Sequence, residues 1–245
     1  ECGAVVYTDF LSSEQLVPIV EALEDISQPG VTIIPAPQGD LVSTAIVGRG
    51  ILSRLFSGIF SLAQCKSRAF VIDENVYLSS IQKFEQLGVG KEEVYIVPSG
   101  ETSKSIQKLE ELLKFLATQG CSRESTLFAI GGGVVGDLAG LAASLYFRGI
   151  NLVQIPTTIV SMVDSAIGGK TAVNLPNAKN SVGTFYPAKF VVADLEFVDS
   201  LPEREFISGM AEVIKYGLIS DKEFFVFLQS HRDRILSRDA NALLQ

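Results

Sequence analysis

The sequence predicts an α/β fold, in which a Rossmann-like, mostly parallel sheet domain is followed by the start of an all-helical domain. From about Val42 to Ala193, short apolar runs alternate with amphipathic helical segments, as strands and crossover helices do in a parallel sheet. Polar and glycine-rich clusters come directly after the predicted strands, where ligands bind in such sheets. After Asp194 the pattern is helical only, which indicates a change of architecture.

Composition narrows the class of protein. The chain has 245 residues, of which 47% are hydrophobic and 20% charged, enough for a sizeable core. The formal net charge of −8 argues against a nucleic-acid partner. No apolar run approaches the roughly 18 residues of a membrane span, and no targeting segment is visible. Three widely spaced cysteines favour reduced thiols and a cytoplasmic protein.

We predict three segments: an N-terminal appendage of unknown role at 1–40, an α/β domain at 41–200 and the beginning of a helical domain at 201–245. In the appendage, Ala4–Tyr7 is a predicted strand and residues 12–26 a predicted helix. Pro29-Gly30 is a predicted turn, and Pro35-Ala36-Pro37 a predicted linker.

The α/β domain alternates regularly along the chain. Predicted helices cover Ile51–Leu62, Val76–Leu87, residues 106–116 with Gly120 as C-cap, and Leu138–Leu145. Predicted strands cover Ala69–Ile72, Val94–Val97, Leu127–Ile130, Leu152–Ile155 and Phe190–Ala193.

The helical segment begins at a predicted capping box, Ser200-Leu201-Pro202-Glu203. The helix after it has one face expected in the core, consisting of Phe206, Met210, Val213 and Ile214. Its polar face has Glu205, Ser208, Glu212 and Lys215. Residues 222–244 are also predicted helical.

A glycine turn follows the strand Leu127–Ile130, where Gly131, Gly133 and Gly136 fit the spacing G-x-G-x-x-G. A strand, a glycine turn and a helix start direct backbone N–H groups at a phosphate, and glycine leaves room for it. A purely structural turn is the alternative. No acidic residue occurs roughly 20 residues later, which disfavours a standard Rossmann dehydrogenase and leaves dinucleotide binding open.

A second polar segment contains Asp164, Lys170, Lys179 and Asn180 among several glycines. The segment lacks a clear period and is predicted as loops, on which cations and amides suit phosphate binding. A solvent-exposed turn lysine is the alternative interpretation of Lys170.

Five motifs in order resemble the 3-dehydroquinate synthase family, within the sugar-phosphate cyclases. They are Gly131-Gly132-Gly133-Val134-Val135-Gly136-Asp137, Pro156-Thr157-Thr158, Met162-Val163-Asp164-Ser165 with Gly168-Gly169-Lys170-Thr171, Lys179-Asn180, and Gly209-Met210-Ala211-Glu212-Val213-Ile214-Lys215. The resemblance runs from about Val42 to the end. It implies an NAD-binding α/β domain, a helical domain that binds zinc or cobalt, and cyclisation of 3-deoxy-D-arabino-heptulosonate 7-phosphate to 3-dehydroquinate with loss of phosphate. It also implies a homodimer and a phosphorus–oxygen lyase of the shikimate pathway.

The resemblance assigns residues to the cofactor. The implied NAD contacts are Asp73, Asn75, Glu101, Lys104, Gly132, Gly133, Val134, Asp137, Thr157, Thr158, Lys170, Lys179, Phe197 and Ser200. Asp73 as a simple turn residue, and Thr157-Thr158 as a helix cap, are the structural alternatives.

The resemblance also assigns residues to the substrate. Lys170 and Asn180 hold its phosphate, Asp164 and Lys215 lie around its hydroxyls, and Arg148 reaches a neighbouring subunit's phosphate site. The implied catalytic residues are Asp164, Lys170 and Lys215.

Glu212 is the implied metal ligand of this half, or alternatively half of a surface ion pair with Lys215. The family uses two further histidines. His231 is the one histidine in this sequence and matches neither, so we expect it to be an exposed helix residue. We therefore expect the chain to end before the metal-binding half is complete, to bind metal poorly and to be inactive alone.

Two departures from the family pattern weaken the substrate assignment slightly: Ala178 stands where glycine is usual, and Phe185-Tyr186-Pro187 lacks a common residue. Three alternatives stay open. One is a related cyclase acting on another sugar phosphate. Another is an NAD- and metal-dependent polyol dehydrogenase, which would not need Lys170 and Asn180. The third is a non-catalytic nucleotide-binding fragment.

Overall fold

The computed structural model describes residues 5–6, 31–38, 41–53, 56 and 66–245. The predicted helix at 12–26 and the turn Pro29-Gly30 lie outside these residues. Residues 51–53 and 56 are helical, and most of the remaining helix predicted there is also outside the described ranges. Within the described ranges, every helix is too short or too polar to cross a bilayer.

The described strands form an eight-stranded sheet and a separate hairpin. The strands are β1 Val5–Val6, β2 Val31–Gln38, β3 Leu41–Gly48, β4 Ser67–Asp73, β5 Val94–Val97, β6 Ser125–Gly131, β7 Asn151–Pro156, β8 Lys170–Leu175, β9 Ala178–Phe185 and β10 Phe190–Asp194. The order in the large sheet is β1-β2-β3-β10-β7-β6-β4-β5. Every pairing in it is parallel except that of β2 with β3. The predicted mostly parallel α/β fold is confirmed.

Helices cover both faces of this sheet. They are α1 Glu74–Gln86, α2 Ile106–Thr118, α3 Gly133–Leu145, α4 Glu196–Ser200, α5 Glu203–Ile219, α6 Lys222–Ser230, α7 Arg232–Leu236 and α8 Ala240–Leu243. Short 3-10 turns occupy Lys91–Glu93, Glu101–Ser103 and Tyr146–Arg148, and Ser161–Ser165 form a π-helical turn. Asp73 caps α1 and Ser105 caps α2. Gly120, with φ +65°, follows the end of α2 as predicted.

The central strand β6 shows why the core has two halves. Its seven residues are all buried. Phe128 and Ile130 enter the core on one face of the sheet, while Leu127 and Ala129 enter the core on the other. Side chains alternate across a strand, so a parallel strand covered on both faces carries a continuous apolar run, here Leu127–Ile130. This burial holds β6 in the centre of the sheet. Because α3 begins two residues after β6 ends, the position of β6 also sets the start of α3.

Three local predictions are wrong. Pro35-Ala36-Pro37 is not a linker, because it lies in β2, which pairs along its length with β3. The described residues of β1 pair with Thr32 and Ile33 and not with the prolines, at which a missing N–H is tolerated on an unpaired edge. The capping box does not form: Ser200 ends α4, its hydroxyl donates to the Phe197 carbonyl, and Pro202 takes the N-cap position of α5. Ile214, expected in the core, is 40% exposed.

The segment predicted as glycine-broken loops is largely the β8–β9 hairpin, so that prediction is also wrong. Its strands pair antiparallel, and the hairpin packs on α3. They approach so closely that a Cβ at Gly183 would lie 1.8 Å from the Thr171 carbonyl oxygen. All residues of β9 are exposed, so no alternation of polar and apolar residues marks the strand in the sequence.

Candidate functional site

Two pockets lie beside the first turns of α3. The first, which we call the glycine pocket, is a cleft of about 670 Å³. Its walls come from residues that directly follow β4, β5, β6, β7 and β10, so it opens at the carboxyl edge of the sheet. The lining includes Asp73, Asn75, Ser99, Gly100, Gly132, Gly133, Val134, Thr157, Thr158, Phe197, Ser200, Leu201, Pro202 and Glu205.

The start of α3 places the positive end of the helix dipole in this pocket. Gly132 is the N-cap residue and has no side chain, so among the described residues no side-chain cap covers the N–H groups of the first turn. A Cβ at Gly132 would lie 3.2 Å from Thr158 Cγ2, and one at Gly133 would lie 3.2 Å from Ser165 Oγ. Backbone donors at the positive end of a helix, with no side chain in front, suit an anionic phosphate.

Asp73 supplies a carboxylate to the glycine pocket, and its Cβ lies 3.2 Å from where a Cβ at Gly131 would stand. Its Oδ1 accepts from the Asn75 N–H at 2.9 Å, the Val76 N–H at 3.4 Å and the Ser99 hydroxyl at 2.8 Å. Within the described residues Oδ2 accepts no hydrogen bond, so it is available to a hydroxyl-bearing ligand. The turn role and the ligand role of Asp73 are therefore compatible.

Two threonines connect β7 to the glycine turn. Thr157 is buried, and its N–H donates to the Gly131 carbonyl at 3.0 Å. Thr158 Oγ1 accepts from the Ser161 N–H at 3.2 Å, which is the expected capping role. Phe197, 6% exposed, forms an apolar wall with Lys83 Nζ 5.3 Å from its ring centroid.

The second pocket, which we call the hairpin pocket, has a volume of about 450 Å³. The hairpin, the π-helical turn and α3 form its walls. The lining consists of Asp137, Asp164, Ser165, Gly168, Lys170, Thr171, Ala172, Asn180, Ser181, Gly183, Thr184 and Phe185. In contrast to the glycine pocket, it presents side chains of both charges.

Lys104 supports the hairpin pocket by contacting two of its lining residues, Asp137 and Asn180. It is only 5% exposed, and its Nζ pairs with the Asp137 carboxylate and donates to Asn180 Oδ1 at 2.5 Å. Burial raises the pKa of Asp137, and Lys104 offsets part of that rise. Because the amide oxygen of Asn180 accepts from Lys104, its Nδ2 remains a donor for a ligand.

Asn180 is held at its backbone as well. Its φ of +52° is a conformation that asparagine tolerates better than most residues, and its N–H donates to Asn174 Oδ1 at 2.8 Å. Asn174 Nδ2 in turn donates to Glu101 Oε1 at 2.7 Å. Glu101 thus supports the hairpin and does not line the glycine pocket.

The two pockets meet across the first turn of α3. Ser165 lines the hairpin pocket and lies against Gly133, which lines the glycine pocket. Asp137, one turn further along α3, faces the hairpin pocket. The residues predicted to contact the cofactor and those predicted to contact the phosphate therefore lie on adjoining surfaces.

Most predicted site residues converge on one of these pockets, and several do not. Asp137 and Lys170, expected at the cofactor, line the hairpin pocket, and Lys104, also expected there, pairs with Asp137. Lys179 is exposed, and Arg148 is exposed with φ +64°; neither lines the two pockets. Sequence reasoning assigned no role to Ser99 and Ser165, although each lies beside a residue that it did single out.

Glu212 and Lys215 form an i, i+3 ion pair on α5, as the structural alternative expected. Glu212 raises the pKa of Lys215 by hydrogen bonding. Neither residue lines the two pockets. Among the described residues, no group of three His, Cys, Asp or Glu side chains is placed to hold a metal.

His231 differs from its prediction as an exposed helix residue. It is half-buried at the end of α6, and its ring stacks on Phe227 with centroids 4.2 Å apart. Its Nδ1 lies 3.0 Å from the Phe227 carbonyl oxygen. The physical reason is that the ring packs back over the last turn of the helix instead of extending into solvent.

Known proteins resemble this chain in sequence and in fold. Residues 94–208 match the family described as 3-dehydroquinate synthase N-terminal. A 3-dehydroquinate synthase of Acidithiobacillus ferrooxidans is 48% identical over 200 residues, which cover 80% of this chain and 54% of that protein. The chain thus spans about half the length of the curated relative it matches.

Two solved structures are similar in fold. One is a 2-deoxy-scyllo-inosose synthase complexed with carbaglucose-6-phosphate, NAD+ and Co2+, with TM-score 0.67 and 31% identity over 75% of this chain and 50% of that one. The other is a 2-epi-5-epi-valiolone synthase from Streptomyces hygroscopicus with NAD+ and Zn2+ bound, with TM-score 0.73 and 29% identity over 85% of this chain and 59% of that one.

Proposed function

The chain belongs, over residues 94–208, to the 3-dehydroquinate synthase family, and from this premise we propose that it is the NAD- and phosphate-binding part of a 3-dehydroquinate synthase. The complete protein converts 3-deoxy-D-arabino-heptulosonate 7-phosphate to 3-dehydroquinate and eliminates phosphate. It is a cytoplasmic phosphorus–oxygen lyase of the shikimate pathway.

The observation that supports this proposal best is the junction of the two pockets at Gly133 and Ser165. In the glycine pocket, the N–H groups at the start of α3 would hold the pyrophosphate of a dinucleotide, and Asp73 would accept from its ribose hydroxyls. When bound, NAD supplies a hydride acceptor that is restored within the same turnover. The substrate would then bind in the adjoining hairpin pocket.

The hairpin pocket suits a sugar phosphate. The Lys170 ammonium and the Asn180 Nδ2 donate to phosphate oxygens, and Lys104 keeps that amide in the donating orientation. The Asp164 carboxylate accepts from sugar hydroxyls and orients the ring. The phosphate-binding pair favours this function over a polyol dehydrogenase, which has no phosphate to hold.

The described residues do not fit a divalent metal site. Glu212 is paired with Lys215, and no second and third ligand accompany it within the described chain. We therefore assign no step to a metal here. Lys215 is not in the hairpin pocket, so its role at the substrate hydroxyls depends on protein beyond these residues.

Arg148 is the basis for a homodimer. It is exposed in a short turn beside Leu145 and Phe147, which are 49% and 53% exposed. Exposed apolar side chains around an arginine are typical of an interface. In the proposed dimer, Arg148 reaches the phosphate site of the neighbouring subunit.

A related sugar-phosphate cyclase is the second candidate, favoured by the fold similarity to cyclases at 29% and 31% identity. The test incubates the full-length protein with the heptulosonate 7-phosphate, NAD and zinc, then measures released phosphate and identifies the carbocycle. Phosphate release with 3-dehydroquinate as product supports the proposal. No turnover of this substrate, with turnover of another sugar phosphate, would assign the protein to the second candidate.

A further inference from the structure

Arg238 joins the C-terminal helices to the wall of the glycine pocket. It lies between α7 and α8, and its guanidinium makes three hydrogen bonds to backbone carbonyls near α4. Nη1 donates to Val198 O at 2.8 Å and to Asp199 O at 2.8 Å, and Nη2 donates to Leu201 O at 2.7 Å. The same group lies over the Phe206 ring, 4.9 Å from its centroid.

Arg238 supplies hydrogen bonds that this junction otherwise lacks. Among the described residues, the Asp199 and Leu201 carbonyls accept from Arg238 alone, whereas Val198 O also accepts from the Leu201 N–H at 3.2 Å. The last carbonyls of a helix have no intrahelical donor, and α4 is only five residues long. Pro202 follows directly and has no N–H to offer. The planar fork of an arginine can serve three carbonyls at once, whereas a lysine ammonium is a point charge.

The backbone conformation of Arg238 indicates that its contacts with the α4–α5 junction stabilise the fold. Its φ is +60°, a left-handed conformation that costs free energy in a residue other than glycine, asparagine or aspartate. The three hydrogen bonds and the contact with Phe206 offset that cost. The side chain is therefore held in place by the fold, and it holds the junction in return.

The junction is also a wall of the glycine pocket, because Phe197, Ser200, Leu201 and Pro202 line it. We propose that Arg238 is a positioning residue that sets the affinity for the dinucleotide by fixing the α4–α5 junction. This inference rests on the proposed NAD-binding function. Arg238 does not line the pocket and acts only through the backbone that it holds.

The experiment compares three variants of the full-length protein. Arg238→Asn tolerates the left-handed backbone but removes the guanidinium, and Arg238→Lys keeps the charge without the fork. Arg234→Gln is the matched control, because Arg234 lies in the same segment and pairs on the surface with Asp239. NAD is titrated by calorimetry at a temperature where each protein is folded, and KM for NAD and kcat are measured in parallel.

If the unheld junction is competent about a tenth of the time, the Kd for NAD rises about tenfold in Arg238→Asn. KM for NAD rises with it, while kcat at saturating NAD stays near wild type, and Arg238→Lys gives a smaller rise. Arg234→Gln matches wild type throughout. A lower kcat at unchanged KM would show loss of folded protein only and would overturn the inference.

Two further outcomes are decisive. If Arg238→Asn fails to fold, Arg238→Lys decides, and an unchanged Kd for NAD in that variant overturns the inference. If the wild-type protein itself does not bind NAD, the proposed function fails. If wild type binds NAD and all three variants bind it equally well, the proposed function stands and the inference about Arg238 is overturned.

Discussion

The two pockets beside α3 are lined by different chemical groups. The glycine pocket presents backbone N–H groups, glycines and small hydroxyl side chains, and Asp73 and Glu205 are its charged lining residues. The hairpin pocket presents Lys170, Asp137 and Asp164, supported by the buried Lys104. Ligand binding in the glycine pocket therefore depends on the backbone, and ligand binding in the hairpin pocket depends on individual charged side chains. Single substitutions should therefore weaken binding in one pocket without weakening it in the other.

The largest effect is expected where charge is buried. Lys104→Met should lower the free energy of unfolding by about 3 kcal/mol, because it leaves the Asp137 carboxylate buried without its cation. The pKa of Asp137 is already raised by burial and should rise further without Lys104. An acid with a raised folded-state pKa loses stability as pH rises from its ordinary value of 3.8 towards that pKa. The deficit should therefore be greatest at neutral pH and shrink in acid.

Urea unfolding at several pH values measures this deficit. Adding Asp137→Leu to Lys104→Met removes the stranded carboxylate and should recover much of the loss at neutral pH. A double variant as unstable as the single variant would show that the pair does not behave as a buried ion pair.

Lys170→Ala is expected to weaken binding in the hairpin pocket and to leave binding in the glycine pocket unchanged. Losing a charged donor to phosphate costs about 1.5–3 kcal/mol, so affinity for the phosphorylated substrate should fall roughly 10- to 100-fold. NAD affinity and the melting temperature should stay at wild-type values. Calorimetric titration of the full-length protein with each ligand measures this, with Lys114→Ala, an exposed helical ion-pair lysine, as control.

Gly133→Ala is the reciprocal substitution. Its Cβ would lie 3.2 Å from Ser165 Oγ, so the first turn of α3 or Ser165 has to shift, and the N–H groups proposed to hold a phosphate are displaced. Losing one charge-assisted hydrogen bond should raise the Kd for NAD roughly tenfold. Since alanine favours a helix over glycine, the free energy of unfolding should change by less than about 1 kcal/mol. Equal losses of NAD and phosphate affinity would contradict the separation of the two pockets.

The smallest effect is expected away from both pockets, at Glu93. Burial opposes its ionisation, but Arg68 at 2.8 Å and the Gly90 N–H at 2.8 Å lower its pKa below the ordinary 4.5. Stability from this carboxylate is therefore present above pH 4.5 and is lost as pH falls through its lowered pKa. Because the pair is partly exposed and screened, Glu93→Gln should cost less than about 1 kcal/mol at pH 7. Thermal melts from pH 7 to pH 3 should show the two proteins converging in acid, with ligand affinities unchanged at pH 7.

The same contrast explains what the sequence could predict. Buried parallel strands such as β6 and the turn at Gly131–Gly133 are encoded by neighbouring residues, so the local pattern predicts their positions. The β8–β9 hairpin has one strand exposed on both faces, and no periodicity marks it. Lys104 and Asn180 are 76 residues apart, so their hydrogen bond depends on tertiary packing. The family resemblance predicts Asp137 at the cofactor beside the glycine turn, whereas one helical turn along α3 places it in the hairpin pocket.

The stacked imidazole at the end of α6 has a practical consequence. The protein has one histidine and no tryptophan, and that histidine ring lies against the Phe227 ring. Aromatic ring currents shift the resonances of a proton held in such a stack. In this chain the one Hε1 line in the proton NMR spectrum, that of His231, can therefore report, without any label, whether this end of α6 is folded.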